Sequence, residues 1–221
     1  CRGDHLKAIQ NNGLLMQSAE TNNEYFCKPL ATDDPNALEK QDFIIVTLKA
    51  HSAAMTANNL TPLIKKNTTI VSAVNGLPWW YFYKVNNKFE NMRLKSVDPQ
   101  NLQWDNITPQ RTLGCVVYPA AEIKAPGHVY HLEGDRFPLG EPDGSKSNRV
   151  QELSKILINS GLKSPVRKNI RADIWMKLWG NLAFNPISVL TGETLEEIAN
   201  NNTSCSIVKN MMLEGQAVAE A

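Results

Sequence analysis

The chain has 221 residues and an almost balanced charge, 23 Lys and Arg against 22 Asp and Glu, for a net +1. That length holds one large domain or two modest ones around a real core. The balance, with no long basic or acidic run, excludes an electrostatic nucleic-acid surface, and apolar stretches such as Phe43–Leu48 are far too short to cross a bilayer.

In chain order, Asp4 to Asn12 reads as a short helix with Leu6 and Ile9 inward, stopped by Gly13. Leu14–Ser18 and Tyr25–Leu30 read as short strands, and Thr32-Asp33-Asp34-Pro35 opens a short helix that ends before Asp42. Phe43 to Leu48 is a continuous β-rich apolar run, the pattern of a strand covered on both faces. A helix over His51–Ile64, interrupted by Pro62, leads to a second buried strand, Thr68–Val74, which ends at Asn75-Gly76. Leu77 to Phe89 is expected to contain a helix bearing the aromatic cluster Trp79–Tyr83.

Between Arg111 and Gly140 the texture becomes antiparallel. Arg111–Tyr118, His128–Leu132 and Arg136–Leu139 read as strands joined by Pro126-Gly127 and Gly134-Asp135 turns, extending the same sheet. Asn148–Asn159 is an amphipathic helix stopped by Gly161, and Leu162–Val166 is the last strand. From Arg171 onward the chain reads as helix, with a kink or interruption expected where Pro186 follows Asn185. One or two further helices over Thr194–Ala221 carry Ile198, Ile207, Met211, Met212, Val218 and Ala219 on apolar faces. Strand–helix alternation predicts a mostly parallel α/β domain, followed by an all-α domain from about Lys168.

The four cysteines (Cys1, Cys27, Cys115, Cys205) are scattered, and no pair has zinc-finger or thioredoxin spacing. A reduced, cytoplasmic setting is the economical reading, and no metal site is expected. In parallel sheets, ligands bind beyond the carboxyl ends of strands. Lys49 and Asn75 stand at two such ends and suggest one shared crevice.

The chain's most informative stretch is Lys177-Leu-Trp-Gly-Asn181-Leu-Ala-Phe-Asn185-Pro186. Each four-residue step advances about 40° on a helix, so Lys177, Asn181 and Asn185 share a stripe roughly 80° wide. A cation and two carboxamides on an apolar helix need partners, because an unpaired buried polar group costs about 1–3 kcal/mol. A ligand rich in carbonyl, hydroxyl and carboxylate oxygens would supply them; a solvated stripe or an internal network satisfies the same spacing.

With these residues in view, the chain resembles the ketopantoate reductases (2-dehydropantoate 2-reductases) along its whole length. The Lys177-x-x-x-Asn181-x-x-x-Asn185-Pro186 helix is the most specific match. It is supported by Cys1-Arg2-Gly3-Asp4-His5-Leu6 with Gly13-Leu14, by Val46-Thr47-Leu48-Lys49-Ala50, by Asn75-Gly76, and by Pro126-Gly127-His128 followed by Leu139-Gly140-Glu141. The resemblance implies an NADP-binding Rossmann-type domain over residues 1–167 and a helical substrate domain over 168–221. It implies NADPH-dependent reduction of 2-dehydropantoate to pantoate, a step toward pantothenate and coenzyme A. The partner is then a small keto acid, and a homodimer is allowed.

Carried over by position, Lys177 matches the catalytic lysine and Asn181 and Asn185 match substrate-binding residues. Arg2 matches the arginine that binds the NADPH 2′-phosphate. Lys49 and Asn75 match strand-end positions that line the family's cofactor crevice, the Asn75 position also facing substrate. Compared with the family, the opening strand, its Gly-x-Gly-x-x-Gly loop and the following helix are missing. So is the late segment carrying a substrate-binding serine and a catalytic glutamate, and Val74 stands where glutamine is frequent. Both domains are therefore expected to be incomplete, and the segment alone is expected to turn over little substrate. A reductase of another 2-oxo acid, and a non-catalytic remnant that binds a nucleotide or partner, remain as alternatives.

Overall fold

The computed structural model describes residues 1–221. Two four-stranded sheets carry the first two-thirds of the chain. The first begins with helix α1 (Gly3–Asn12) and strands β1 (Leu14–Ser18) and β2 (Glu24–Cys27). The second contains β3 (Phe43–Val46), β4 (Thr69–Ser72) and β5 (Thr112–Cys115), mutually parallel, the first two being rich in Val and Ile. Helix α2 (Ala50–Thr56), extended by a 3-10 segment through Leu63, makes the first crossover, and α3 (Leu102–Asn106) sits in the second. The Asp98 carboxylate caps α3, accepting from the Gln103 and Trp104 amides at 3.1 and 3.0 Å.

After β5 the chain leaves the parallel sheet. Strands β6 (Ala120–Ala125) and β7 (His128–Glu133) form a hairpin that returns to the first sheet, giving the order β2-β1-β7-β6. The two-residue strand β8 (Leu139–Gly140) then pairs antiparallel with β5 and closes the order β3-β4-β5-β8. Helix α4 (Asn148–Asn159) buries Val150 and Leu153 on one face of this sheet and is capped by Ser147, whose hydroxyl accepts from the Val150 amide. The other face buries Ile44, Ile70, Trp79, Trp80, Ile107 and Val116.

From α5 (Ile170–Thr191) onward the chain is helical, with α6 (Leu195–Asn200) and α7 (Asn202–Glu220) packed on α5 around Ala183, Ile187, Ile198 and Val208. The joint between the two parts is built from absent side chains. Gly114 and Gly140 are register partners on β5 and β8. A Cβ at Gly114 would come within 2.9 Å of Ile170 and Trp80, and one at Gly140 within 2.7 Å of Ile170. The pair therefore forms a slot that seats Ile170, 1% exposed, at the start of α5.

Several expectations are corrected. Phe43–Leu48 is not covered on both faces: β3 is a sheet edge, shorter than expected, and Ile45 is 47% exposed. Strand β2 stops at Cys27, and Thr32–Asp42 forms only a 3-10 turn, Pro35–Ala37. No helix forms in Leu77–Phe89; it is a string of turns with left-handed Lys84 and Asn86, while Trp79 and Trp80 are core residues. The Arg111–Leu139 strands do not all extend one sheet, because the β6–β7 hairpin joins β1 instead. Leu162–Val166 contributes isolated bridges at Lys163 and Val166 rather than a strand. Helix α5 runs through Pro186 without interruption; proline removes one amide donor, and packing of Ala183 and Ile187 on either side holds the turn. Of the apolar faces expected after Thr194, Ile207 and Val218 are 46% and 68% exposed.

Gly114→Ala is expected to lower stability by about 1–3 kcal/mol, the usual cost of overpacking a filled core, read as a lower urea midpoint. An unchanged midpoint would show that Ile170 and Trp80 move aside freely.

Candidate active site

The parallel strands deliver their carboxyl ends to the joint with α5. Beyond β3 lies Thr47-Leu48-Lys49, and Lys49 leads into α2. Beyond β4 lies Val74-Asn75-Gly76, where Gly76 adopts φ +91°, a left-handed geometry that turns the chain directly after Asn75. Beyond β5 lies Val116-Val117-Tyr118. Helix α5, seated by Ile170, carries Lys177 across these ends.

The Lys177 ammonium donates to Asn75 Oδ1 at 2.9 Å and to the Val117 carbonyl. It also lies 5.7 Å from the centre of the Tyr118 ring. None of these neighbours is a carboxylate. The side chain is half-buried, and desolvation pushes its pKa below the ordinary lysine value, an effect partly opposed by the nearby Cys115 sulfur. Burial has the opposite sign on a thiol, and the Cys115 pKa is pushed up to about 12. Lys177 thus donates to uncharged oxygens, and no carboxylate cancels its positive field.

Asn75, Lys177 and Asn181 line one small recess together with Gly76, Cys115, and Ile174. Asn75 also lines a larger groove of about 680 Å³ with Thr47, Lys49, His51 and Val117. Lys49, Asn75, Lys177 and Asn181 are therefore brought to a crevice of two adjoining hollows that share Val74, Asn75 and Cys115. Arg2 is not in it: it lies in a neighbouring depression with Thr32, Asp33 and Ser52 that shares Leu48 with the groove. Asn185 lies a turn beyond Asn181 and is exposed, outside both.

The sequence reading missed the Val117 carbonyl, which no side-chain pattern can reveal. It also missed Arg171 and Trp175, which were visible as a four-residue step on the same helix. The Arg171 guanidinium donates to three carbonyls, Tyr81, Pro142 and Tyr83, at 2.7, 2.5 and 2.6 Å. Trp175 Nε1 donates to the Tyr81 hydroxyl at 2.7 Å.

A parallel α/β sheet whose strand ends face a lysine on the first helix of an appended helical domain defines a Rossmann-like oxidoreductase architecture. The family models for ketopantoate reductase PanE/ApbA match residues 1–144, and its C-terminal counterpart matches residues 169–221. The 2-dehydropantoate 2-reductase of Mesorhizobium japonicum is 46% identical over 220 residues, covering 100% of this chain and 67% of that protein. A crystal structure from Ralstonia solanacearum MolK2, described as a ketopantoate reductase, superposes with TM-score 0.93 at 36% identity, covering 99% of this chain and 67% of that one. The ternary structure of D-mandelate dehydrogenase with NADH and anilino(oxo)acetate shares the fold, with TM-score 0.79 at 19% identity over 98% of this chain and 63% of that one. The chain belongs to the ketopantoate reductase family, and it spans about two thirds of the length of these relatives.

Native alkylation with a small thiol reagent at neutral pH is expected to label the exposed Cys1, Cys27 and Cys205 and to spare Cys115 until the chain unfolds. Rapid labelling of Cys115 in the folded protein would contradict the packing drawn around Lys177.

Proposed function

We propose that this chain provides the cofactor crevice and the proton-donating lysine of an NADPH-dependent reductase that converts 2-dehydropantoate to pantoate, a step toward pantothenate and coenzyme A. The observation that carries this reading is the Lys177 ammonium, fixed at the strand ends by two uncharged oxygens. An ammonium has three N–H donors, and Asn75 and Val117 take two of them. The third is available for a ketone oxygen. A fixed donor aimed at that oxygen stabilises the alkoxide as it forms, and its lowered pKa makes proton transfer easier.

Asn181 shares the recess with Lys177, and neither its side-chain carboxamide nor that of Asn185 has a hydrogen-bond partner in the protein. Each carboxamide offers two donors and an acceptor, suited to a hydroxyl and a carboxylate. NADPH supplies the hydride when bound. Lys49 and Asn75 at the strand ends, and Arg2 next to them, fit such a polyanionic nucleotide, since Arg2 and Lys49 are exposed cations in no ion pair. The planar fork of Arg2 suits a 2′-phosphate. The four free cysteines support a cytoplasmic setting.

A second reading keeps the chemistry and changes the acid. The anilino(oxo)acetate in the D-mandelate dehydrogenase complex is an oxo acid on the same fold, and nothing in the Lys177–Asn181–Asn185 stripe is specific to the pantoyl side chain. A clear preference in kcat/KM for another 2-oxo acid over ketopantoate would decide for it.

In the full-length gene product, Lys177→Ala is expected to lower kcat about 10²–10⁴-fold, the typical contribution of a positioned acid. Wild-type turnover in that variant would remove Lys177 from the mechanism. The protonated lysine is the active form, so kcat should be full at low pH and fall as pH rises through the Lys177 pKa. That alkaline limb is expected below the ordinary lysine range, and should vanish in Lys177→Ala. Asn181→Ala is expected to raise KM for the keto acid about tenfold, the loss of one hydrogen bond.

A further inference from the structure

We propose that Arg171 is the positioning residue that sets the distance between Lys177 and Asn75, by clamping residues 77–84 and the Pro142 loop onto the first turn of α5. Its effect on turnover rests on the reductase reading; the clamp itself does not.

Residues 77–84 follow directly from the Asn75-Gly76 turn and belong to no helix or strand. Their carbonyls therefore have no ladder to enter, and the segment needs some other restraint. Arg171 supplies it with three separate nitrogens. Nε donates to the Tyr81 carbonyl, Nη2 to Tyr83, and Nη1 to Pro142 beyond β8. The guanidinium also lies 5.6 Å from the ring centres of both Trp80 and Tyr81. It enters no ion pair. Burial works against its charge, so the three carbonyls are what retain it there.

One helical turn on, Trp175 holds the Tyr81 hydroxyl, and Lys177 reaches Asn75 itself. Helix α5 thus grips the segment at successive levels, with Arg171 making the most bonds at the end farthest from the site. The planar fork reaches the three carbonyls with three separated nitrogens; a lysine has three N–H groups too, but on a single nitrogen that cannot stand at all three positions at once. Loss of the fork frees the segment, and Asn75 then drifts relative to the ammonium it orients.

The test uses Arg171→Lys and Arg171→Ala in the full-length gene product, with hydrogen exchange read by mass spectrometry and steady-state kinetics. In Arg171→Lys, exchange over 74–84 should rise about tenfold while strand β4 stays protected. The variant's kcat should fall about 10–100-fold, as small misplacements of reacting groups do, with KM for NADPH within about twofold of wild type. Guanidinium ion, and not methylammonium, should restore part of the lost kcat in Arg171→Ala. Unchanged exchange over 74–84 overturns the clamp. Loss of protection in β4 as well also overturns it, by showing general support of the fold. A normal kcat with raised exchange overturns the positioning role. Failure of wild-type protein to reduce ketopantoate rejects the reductase reading instead, and the exchange result still judges the clamp.

Discussion

The seating of helix α5 on the parallel sheet is the constraint from which the rest of the molecule follows. Ile170 fits the slot left by Gly114 and Gly140, and this sets both the height and the direction of a 22-residue helix. The slot exists because two strands meet in register at two residues without side chains. Any larger residue there would lift α5 off β5 and carry Lys177 away from the strand ends. A packing detail beside the crevice, one residue from the lining positions Cys115 and Leu139, therefore fixes the geometry of the crevice.

Two kinds of cation stand around this joint. Arg149 and Arg167 are neutralised by carboxylates, Arg149 through a bidentate pair with Glu141 at 2.6 and 2.7 Å and Arg167 with Asp173 at 2.9 Å. Such pairs hold elements together and present little net field. Arg171 and Lys177 are satisfied instead by carbonyl and carboxamide dipoles. Dipoles meet the hydrogen-bonding need without cancelling the charge. The positive potential at Lys177 consequently remains available to an oxygen on which negative charge develops, while the carboxylates stay in the scaffold behind it.

Local patterns made much of this legible in the sequence. The α4 boundaries, Gly13 as the end of α1, and the start of β1 all follow from caps and periodicity, and the structure reproduces them. Lys177 and Asn75 were separate signals, one a helix stripe and the other a strand end, and the fold joins them. The failures lie where tertiary partners override local preference. Residues 77–89 have the apolar density of a helix, yet the carbonyls of Tyr81 and Tyr83 are taken by Arg171 from another domain. The β6–β7 hairpin carries an ordinary antiparallel pattern, and nothing local states that its partner is β1, more than a hundred residues earlier. Arg2 and Asn185 illustrate a third limit: a motif states residue type and order, but the structure puts both outside the recess around Lys177.

The stripe on α5 has a gradient that spacing alone could not show. Lys177 and Asn181 are both half-buried and line the same recess, and Asn185 is exposed. The stripe thus becomes accessible at its outer end, two turns beyond Lys177. The charged member is half-buried, and partial removal from water strengthens its interaction with a ligand oxygen. The two neutral members sit where partial solvation is tolerated, since a carboxamide left without a protein partner costs little while water still reaches it. On the proposed reading, the same gradient orders the substrate: the reacting ketone lies inward at the ammonium, and the groups that only need orienting lie outward along the helix. Pro186 fits this arrangement, because the helix must continue past Asn185 for α6 and α7 to pack on it, and it does so without interruption.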